Sequence, residues 1–569
     1  MKKIASLIII ALCLAVKMSA SSAVLYSQSP VTEPLHEMRA VWLTTIGGID
    51  WPHSYANTQR SAAVQRRELC DILDKLVAAG INTVLLQTRI RATTIFPSDM
   101  EPWDGCLSGV PARSPGYDAL AFAIEECHKR GIALHSWIVA IPIGKWDGAG
   151  CRSLMKKSPK LVKRIGKEAY MNPEVPETAE YLACFCRDIV RRYDVDGIHL
   201  DYIRYPEQWR AIANRDHARS NITRIVRKVY SAVKAEKPWV MLSCSPIGKY
   251  ADTERQCSNG WNARDIVCQD ASQWLEEGIM DALFPMMYFR GSNFYPFLMD
   301  WMERSSGRIV TPGLGVYFLD KHQKDWPLRD ITQEMYVSRQ YGMGVCMFRS
   351  KFFTDDTKGL YEYTRGSFSR IPALQPVMTW YETEPPTPPS VLNVEKRKDA
   401  TLLLSWPGDT TRNILYNVYG SDKAPVDTRQ ASNLLMASYR DTSIVVPQSP
   451  RIKYFAITAV DRYGNESLLS TQSFDGESTR EAYVASQVLR EKLLSYDGKR
   501  VHLDGCDVTE GQLLDVRTVI GTAYTSRLVK VKDGHLYFDA SGIASGHYIV
   551  YIINKKGYQH RLGVFSIEP

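Results

Sequence analysis

The run Asp196-Gly197-Ile198-His199-Leu200-Asp201-Tyr202-Ile203-Arg204-Tyr205-Pro206 concentrates reactive side chains where a short strand ends. Alternation along a strand puts His199 and Asp201 on one face and Ile198 and Leu200 on the other. A face that carries His and then Asp is poor core material. It suits the mouth of a parallel barrel, where catalytic groups sit at strand C-termini. The plain alternative is a buried Asp201 paired with Arg204 for structural reasons. The chemistry that fits is acid–base work on a sugar bond, which takes two carboxyl groups.

Asp201 is the clear first carboxyl. Asp50, Glu101, Glu207 and Asp320 all fall in loops on the same face, and Glu207 and Asp320 stand as candidates for the second. Asp201 is expected as nucleophile or base, with its partner as the acid. Trp51, Trp137, Tyr202, Tyr288 and Tyr317 offer flat faces for pyranose rings. Asp50, Gln87, Arg89, His135, His199, Arg204 and Arg349 offer groups that grip hydroxyls. Each aromatic taken alone reads as core. The convergence of the same chemistry on five predicted strand ends makes the case for a glycan site.

The elements that must position these residues repeat from about 39 to 366. Apolar strands are predicted over 39–45, 83–89, 133–140, 197–202, 240–246, 282–288, 309–316 and 344–349. Helical periodicity intervenes over 63–79, 118–130, 178–193, 217–236 and 328–341. Strand, loop and helix repeated eight times make an α/β chain with a (β/α)8 barrel. No Gly-rich phosphate loop follows the first strand, which argues against a doubly wound sheet.

At 569 residues the chain has room for about three domains. Met1 to about Ala23 reads as a secretory signal, with Lys2 and Lys3 ahead of an apolar run and then small residues. Leu12 before Cys13 is too large for a lipobox, so no lipid anchor is expected. No other segment approaches the ~20 apolar residues of a membrane span. The mature chain is expected to be exported, periplasmic or secreted.

Loss of the signal takes the net charge from +8 to about +5, too mild to imply nucleic acid. Eleven of the 12 cysteines remain after cleavage, an odd number, and most lie inside apolar patterns. No Cys or His spacing fits zinc, and no metal or other cofactor is expected.

Beyond the barrel, at 36–380, comes a proline-rich linker at 381–389. Residues 390–475 alternate at period two. The early Trp406 and the strand at 453–461 resemble a fibronectin type III sandwich. A helical stretch at 481–494 leads to a strand-rich region at 500–569. This last region is weakly similar to C-terminal sorting sandwiches and is read as an accessory β-domain.

Several ordered motifs carry a family resemblance. They are Arg39-Ala40-Val41-Trp42, Ile49-Asp50-Trp51-Pro52, Gln87-Thr88-Arg89, Phe96-Pro97-Ser98, Glu101-Pro102-Trp103, Pro115-Gly116-Tyr117-Asp118, the 196–202 run and Phe348-Arg349. Over about 330 residues the barrel resembles the glycosyl-hydrolase-like family ten. The resemblance implies an exported barrel enzyme cleaving glycosidic bonds without a cofactor, with peptide-stripped peptidoglycan strands as one substrate known in the family. It places Asp201 at the family's strand-four Asp, and Asp50, Arg89 and Tyr288 at matched polar positions. Many members carry Asp where this chain has Tyr202, and Gln where it has Met286. A glycosidase of dietary or host polysaccharide and an inactive glycan-binding barrel stay open beside the wall enzyme. The sequence sets no oligomeric state.

Overall fold

The structure is a computed structural model. It describes residues 33–567 apart from 210–211, 213, 255, 257–260, 382–383, 409–412, 474–493, 507, 519–522, 544–545 and 554–558. The expected signal segment and nearly all of the expected helix at 481–494 lie outside the described residues.

Eight strands form the barrel. β1 (Arg39–Leu43), β2 (Thr83–Arg89), β3 (Ala133–Val139), β4 (Gly197–Asp201) and β5 (Met241–Cys244) pair in parallel, each with the next. β6 comes in two pieces, Ala282–Leu283 and Met286–Met287, and so does β7, Ile309–Val310 and Gly313–Leu314. β5 pairs with the first piece of β6, both pieces of β6 pair with β7, and the second piece of β7 pairs with β8 (Val345–Met347). β8 returns to β1 and closes the ring.

The two predicted strands at 282–288 and 309–316 are thus broken, at Pro285 and Pro312. A proline has no N–H to give the ladder. Its carbonyl still serves: Pro285 O accepts from Gly313 N at 2.8 Å, and Pro312 O accepts from Cys346 N at 3.0 Å.

Helices cover the outside. In α1 (Gln59–Ala78) the Thr58 hydroxyl accepts from Ser61 N at 3.1 Å, and Leu69, Leu73 and Leu76 lie buried along one stripe. Truncating Leu73 to alanine costs about 3 kcal/mol at a site this closed. α2 (Ala119–Lys129) and α3 (Pro176–Arg192) follow, α3 opening on a proline whose missing donor costs nothing there. α4 (Arg215–Glu236) is capped by Asn214, which accepts from His217 N at 3.0 Å. Inside the ring, Trp42, Leu85, Trp137, Phe284 and Cys346 fill a separate buried cluster.

Between β3 and α3 the chain inserts a helix, Ala149–Lys157, and an antiparallel three-stranded sheet of Pro142–Lys145, Val162–Ile165 and Glu168–Met171. No regular structure is predicted there from the sequence.

After the barrel come a three-stranded sheet of Asn393–Lys396, Thr401–Ser405 and Ser443–Pro447, and a four-stranded one of Leu434–Tyr439, Leu415–Ser421, Tyr454–Val460 and Ser470–Ser473. Two further antiparallel sheets lie within 500–567. The first sandwich grips the barrel at the start of β4. Arg440 and Arg462 both donate to Asp194, at 2.9 Å each, and to Asp196, at 3.1 and 3.0 Å.

Candidate active site

Asp201 closes β4 with its side chain turned into the barrel mouth, 8% exposed. Its Oδ1 accepts from Ser245 Oγ and from Tyr202 N, both at 2.8 Å, and its Oδ2 accepts from Trp137 Nε1 at 3.1 Å. Burial pushes this carboxyl above its usual range. The Ser245 hydrogen bond, the Arg204 charge, the Tyr202 amide and the Trp137 indole pull the other way without cancelling the rise. A carboxyl that keeps its proton to a higher pH than a free one is better suited to give it up to a leaving oxygen.

Tyr202 takes φ +53°, a left-handed conformation uncommon for a residue with a side chain. The turn places its ring 4.0 Å from the Arg204 guanidinium, and the Trp261 ring lies 5.2 Å from the same group. Arg204 is 1% exposed, and its Nε has no hydrogen-bond partner among the described residues. Its Nη2 donates to Glu207 at 2.9 Å. Arg204 therefore links the two carboxyl groups electrically, lowering Asp201 through its charge and holding Glu207 by contact.

The opposite wall is aromatic. Tyr288 and Phe348 stack at 5.1 Å, and Tyr317 stands edge-on to both, at 5.7 and 5.8 Å. Burial and the nearby Asp201 charge push the Tyr288 hydroxyl well above its usual range, so it stays a donor. Between the walls, Asp50 Oδ2 accepts from Thr44 N at 2.9 Å and Thr44 Oγ1 at 2.7 Å, while its Oδ1 pairs with Arg349. Gln87 Oε1 accepts from the amides of Thr45 and Ile46, at 3.1 and 2.9 Å, and so shapes the loop after β1.

The structure corrects several sequence assignments. Trp51 is fully buried among apolar side chains and donates to Gln65 O, so it is no sugar platform. Arg89 is sealed in an ion pair with Glu101 at 2.7 Å, with Tyr181 donating to the same carboxylate at 3.1 Å. It therefore cannot grip a substrate, and Glu101 is spent on it. His135 lies at the opposite, N-terminal end of the barrel, where burial lowers its pKa to about 4. His199 lies beneath Asp201, fully buried between Trp42 and Ser243. Asp320 accepts from His322 N at 2.7 Å and shapes its own turn. Trp137 serves Asp201 rather than the substrate.

Ser245, Trp261 and Phe348 are the members that the candidate residues named from sequence omit. The alternation Ser243–Ser245 at the end of β5 is the signal that points to the first of them.

A closed parallel barrel with a buried, hydrogen-bonded carboxyl at the end of its fourth strand, faced by stacked aromatics, is the architecture of a glycoside hydrolase. Residues 37–313 match the family model described as Glycosyl hydrolase-like 10, and the barrel is similar to that family. "Glycosyl hydrolase YngK" of Bacillus subtilis (strain 168) is 28% identical over 479 residues, covering 77% of this chain and 93% of the relative. "Glycosyl hydrolase DigH" of Escherichia coli (strain K12) is 29% identical over 315 residues, covering 48% of this chain and 72% of that one. Among solved structures, an alpha-L-fucosidase isoenzyme 2 from Paenibacillus thiaminolyticus overlays at TM-score 0.39 and 14% identity, covering 59% of this chain and 49% of its own. The barrel assignment here rests on strand order and not on that overlay.

Proposed function

We propose that this protein is exported and cleaves glycosidic bonds within a wall glycan, with peptidoglycan strands as the substrate. The observation that carries the hydrolytic reading is Asp201, buried, rich in hydrogen bonds and still raised above the usual carboxylate range. The roles expected from sequence are exchanged in this reading. Asp201 protonates the departing glycosidic oxygen, and Glu207, aligned by Arg204, activates the attacking water. Tyr288, Tyr317 and Phe348 hold the apolar faces of the sugar. Export rests on the signal-like segment at 1–23. The motif resemblance favours the wall polymer over a dietary one. The strand order of the three- and four-stranded sheets supports a fibronectin type III-like spacer behind the barrel.

The experiment compares wild type with Asp201→Asn on peptide-stripped peptidoglycan strands, with products read by mass spectrometry. Release of short muro-oligosaccharides by wild type alone supports the reading, and equal release by both removes Asp201 from the chemistry. A glycan-binding barrel without turnover draws on one fact: the three groups bonded to Asp201 are an indole, a hydroxyl and an amide, none of them a second carboxyl. Binding without release by either protein would select it.

A further inference from the structure

The loops after β1, β2 and β3 enclose a second pocket of about 360 Å³, lined by Gly47, Tyr55, Arg91, Trp103 and Lys145 among others. It opens on the same end of the barrel as Asp201. Lys145 belongs to the insert that begins directly after β3, and Ala140 N in that connection donates to Asp201 O at 2.8 Å. Ile46, on the other wall, is tied through its amide to Gln87 at 2.9 Å.

The chemistry of the pocket is mixed. Tyr55 is 60% exposed and Trp103 half-buried, so two ring faces are available. Arg91 and Lys145 are both exposed, and neither enters an ion pair among the described residues. The one carboxylate on the wall, Asp104, has both oxygens engaged. Oδ1 accepts from Cys106 N at 2.8 Å, and Oδ2 accepts from Thr93 Oγ1 at 2.6 Å. The pocket thus offers two cations against one occupied anion.

Its walls are also thin. A Cβ on Gly109 would stand 2.9 Å from the Tyr55 ring, and one on Gly150 would stand 2.2 Å from Arg91 O. Glycine at these positions leaves the ring and the loop where they are. The volume lies at the small end of ligand pockets, roughly 300–1,000 Å³, and holds about one substituted pyranose.

We propose that this pocket is a subsite for an acidic sugar, a pyranose carrying a carboxylate, held while a neighbouring unit of the same glycan lies at Asp201. Arg91 and Lys145 take the carboxylate, Arg91 with two parallel donors. Tyr55 and Trp103 take the ring. The inference rests on the glycan-polymer reading and adds to it a preference for chains with regularly spaced carboxylates over neutral polysaccharide.

The test titrates Asp201→Asn protein, which holds the chain without turnover, with a muramic-acid-containing tetrasaccharide and with its carboxyl methyl ester, by calorimetry. The free acid is expected to bind about tenfold tighter than the ester. Adding Arg91→Gln and Lys145→Gln is expected to bring the two to equal affinity, at an unchanged melting temperature. Adding Tyr55→Ala instead is expected to weaken acid and ester alike. Equal affinities before the charge changes, a preference that survives them, or no binding of either saccharide would overturn the subsite. Failure of the glycosidase reading shows separately, as wild type that leaves these same chains uncut.

Discussion

The Trp42 indole N–H donates to His199 Nε2 at 3.2 Å in the centre of the barrel. That bond leaves the ring proton on Nδ1, which reaches Ser243 Oγ at 3.0 Å. His199 is therefore the neutral floor under Asp201, with burial holding its pKa well below normal. A histidine kept neutral by the fold binds fewer protons than in the unfolded chain, so stability falls as pH drops below about 6.5. His199→Gln can satisfy both neighbours without titrating. Between pH 6.5 and 4 its unfolding free energy should fall less steeply than that of wild type, by up to ~1.4 kcal/mol per pH unit. Denaturant melts across that range check the slope.

Asp201 carries the opposite sign. Its folded-state pKa is raised, so the native state binds more protons, and stability declines as pH rises through the window between the ordinary carboxylate value and the raised one. Asp201→Asn should abolish turnover by a factor of about 10³ or more and raise the melting temperature at pH 7. The gain should vanish below about pH 4. Calorimetric scans at the two pH values read both signs.

Ser245→Ala removes a donor to the ionised Asp201, which raises its pKa further. With Asp201 as the acid, as proposed, the basic limb of the pH–rate profile should move upward, with kcat lowered about tenfold. A limb that moves down would make Asp201 something other than the proton donor.

Much of this was legible in the sequence. The eight strand–helix repeats and the Asp201 strand are carried by periodicity and by a polar face that a core strand does not tolerate. The strand breaks were missed because Pro285 and Pro312 sit inside apolar runs that look continuous. Arg89 and Trp51 were misplaced for another reason. A side chain at a strand end has the right type for a ligand, but type does not show whether a partner such as Glu101, 12 residues on, has already captured it. Trp261 gave no signal, since it stacks on Arg204 from a distant loop.

Glu334 on the helix Leu328–Gln340 is buried, and neither carboxyl oxygen has a hydrogen-bond partner among the described residues. Burial pushes its pKa up to about 9, with Asp330 adding to the rise. The acid is neutral in the fold at pH 7 and ionised in the unfolded chain, which costs about 3 kcal/mol there and more toward pH 9. Glu334→Met should stabilise the protein by an amount of that order, and the gain should grow as pH rises. Urea melts at pH 6, 7.5 and 9 measure it.

The grip of Arg440 and Arg462 on Asp194 and Asp196 has a consequence for how this enzyme can be divided. Those two acids immediately precede the strand that ends in Asp201, so the module behind the barrel supplies their counter-charge. A barrel severed at residue 381 keeps every side chain that meets the sugar, yet it leaves two neighbouring carboxylates with His128 as their remaining ring partner. The border between barrel and appendage is therefore drawn in sequence alone, since these ion pairs cross it.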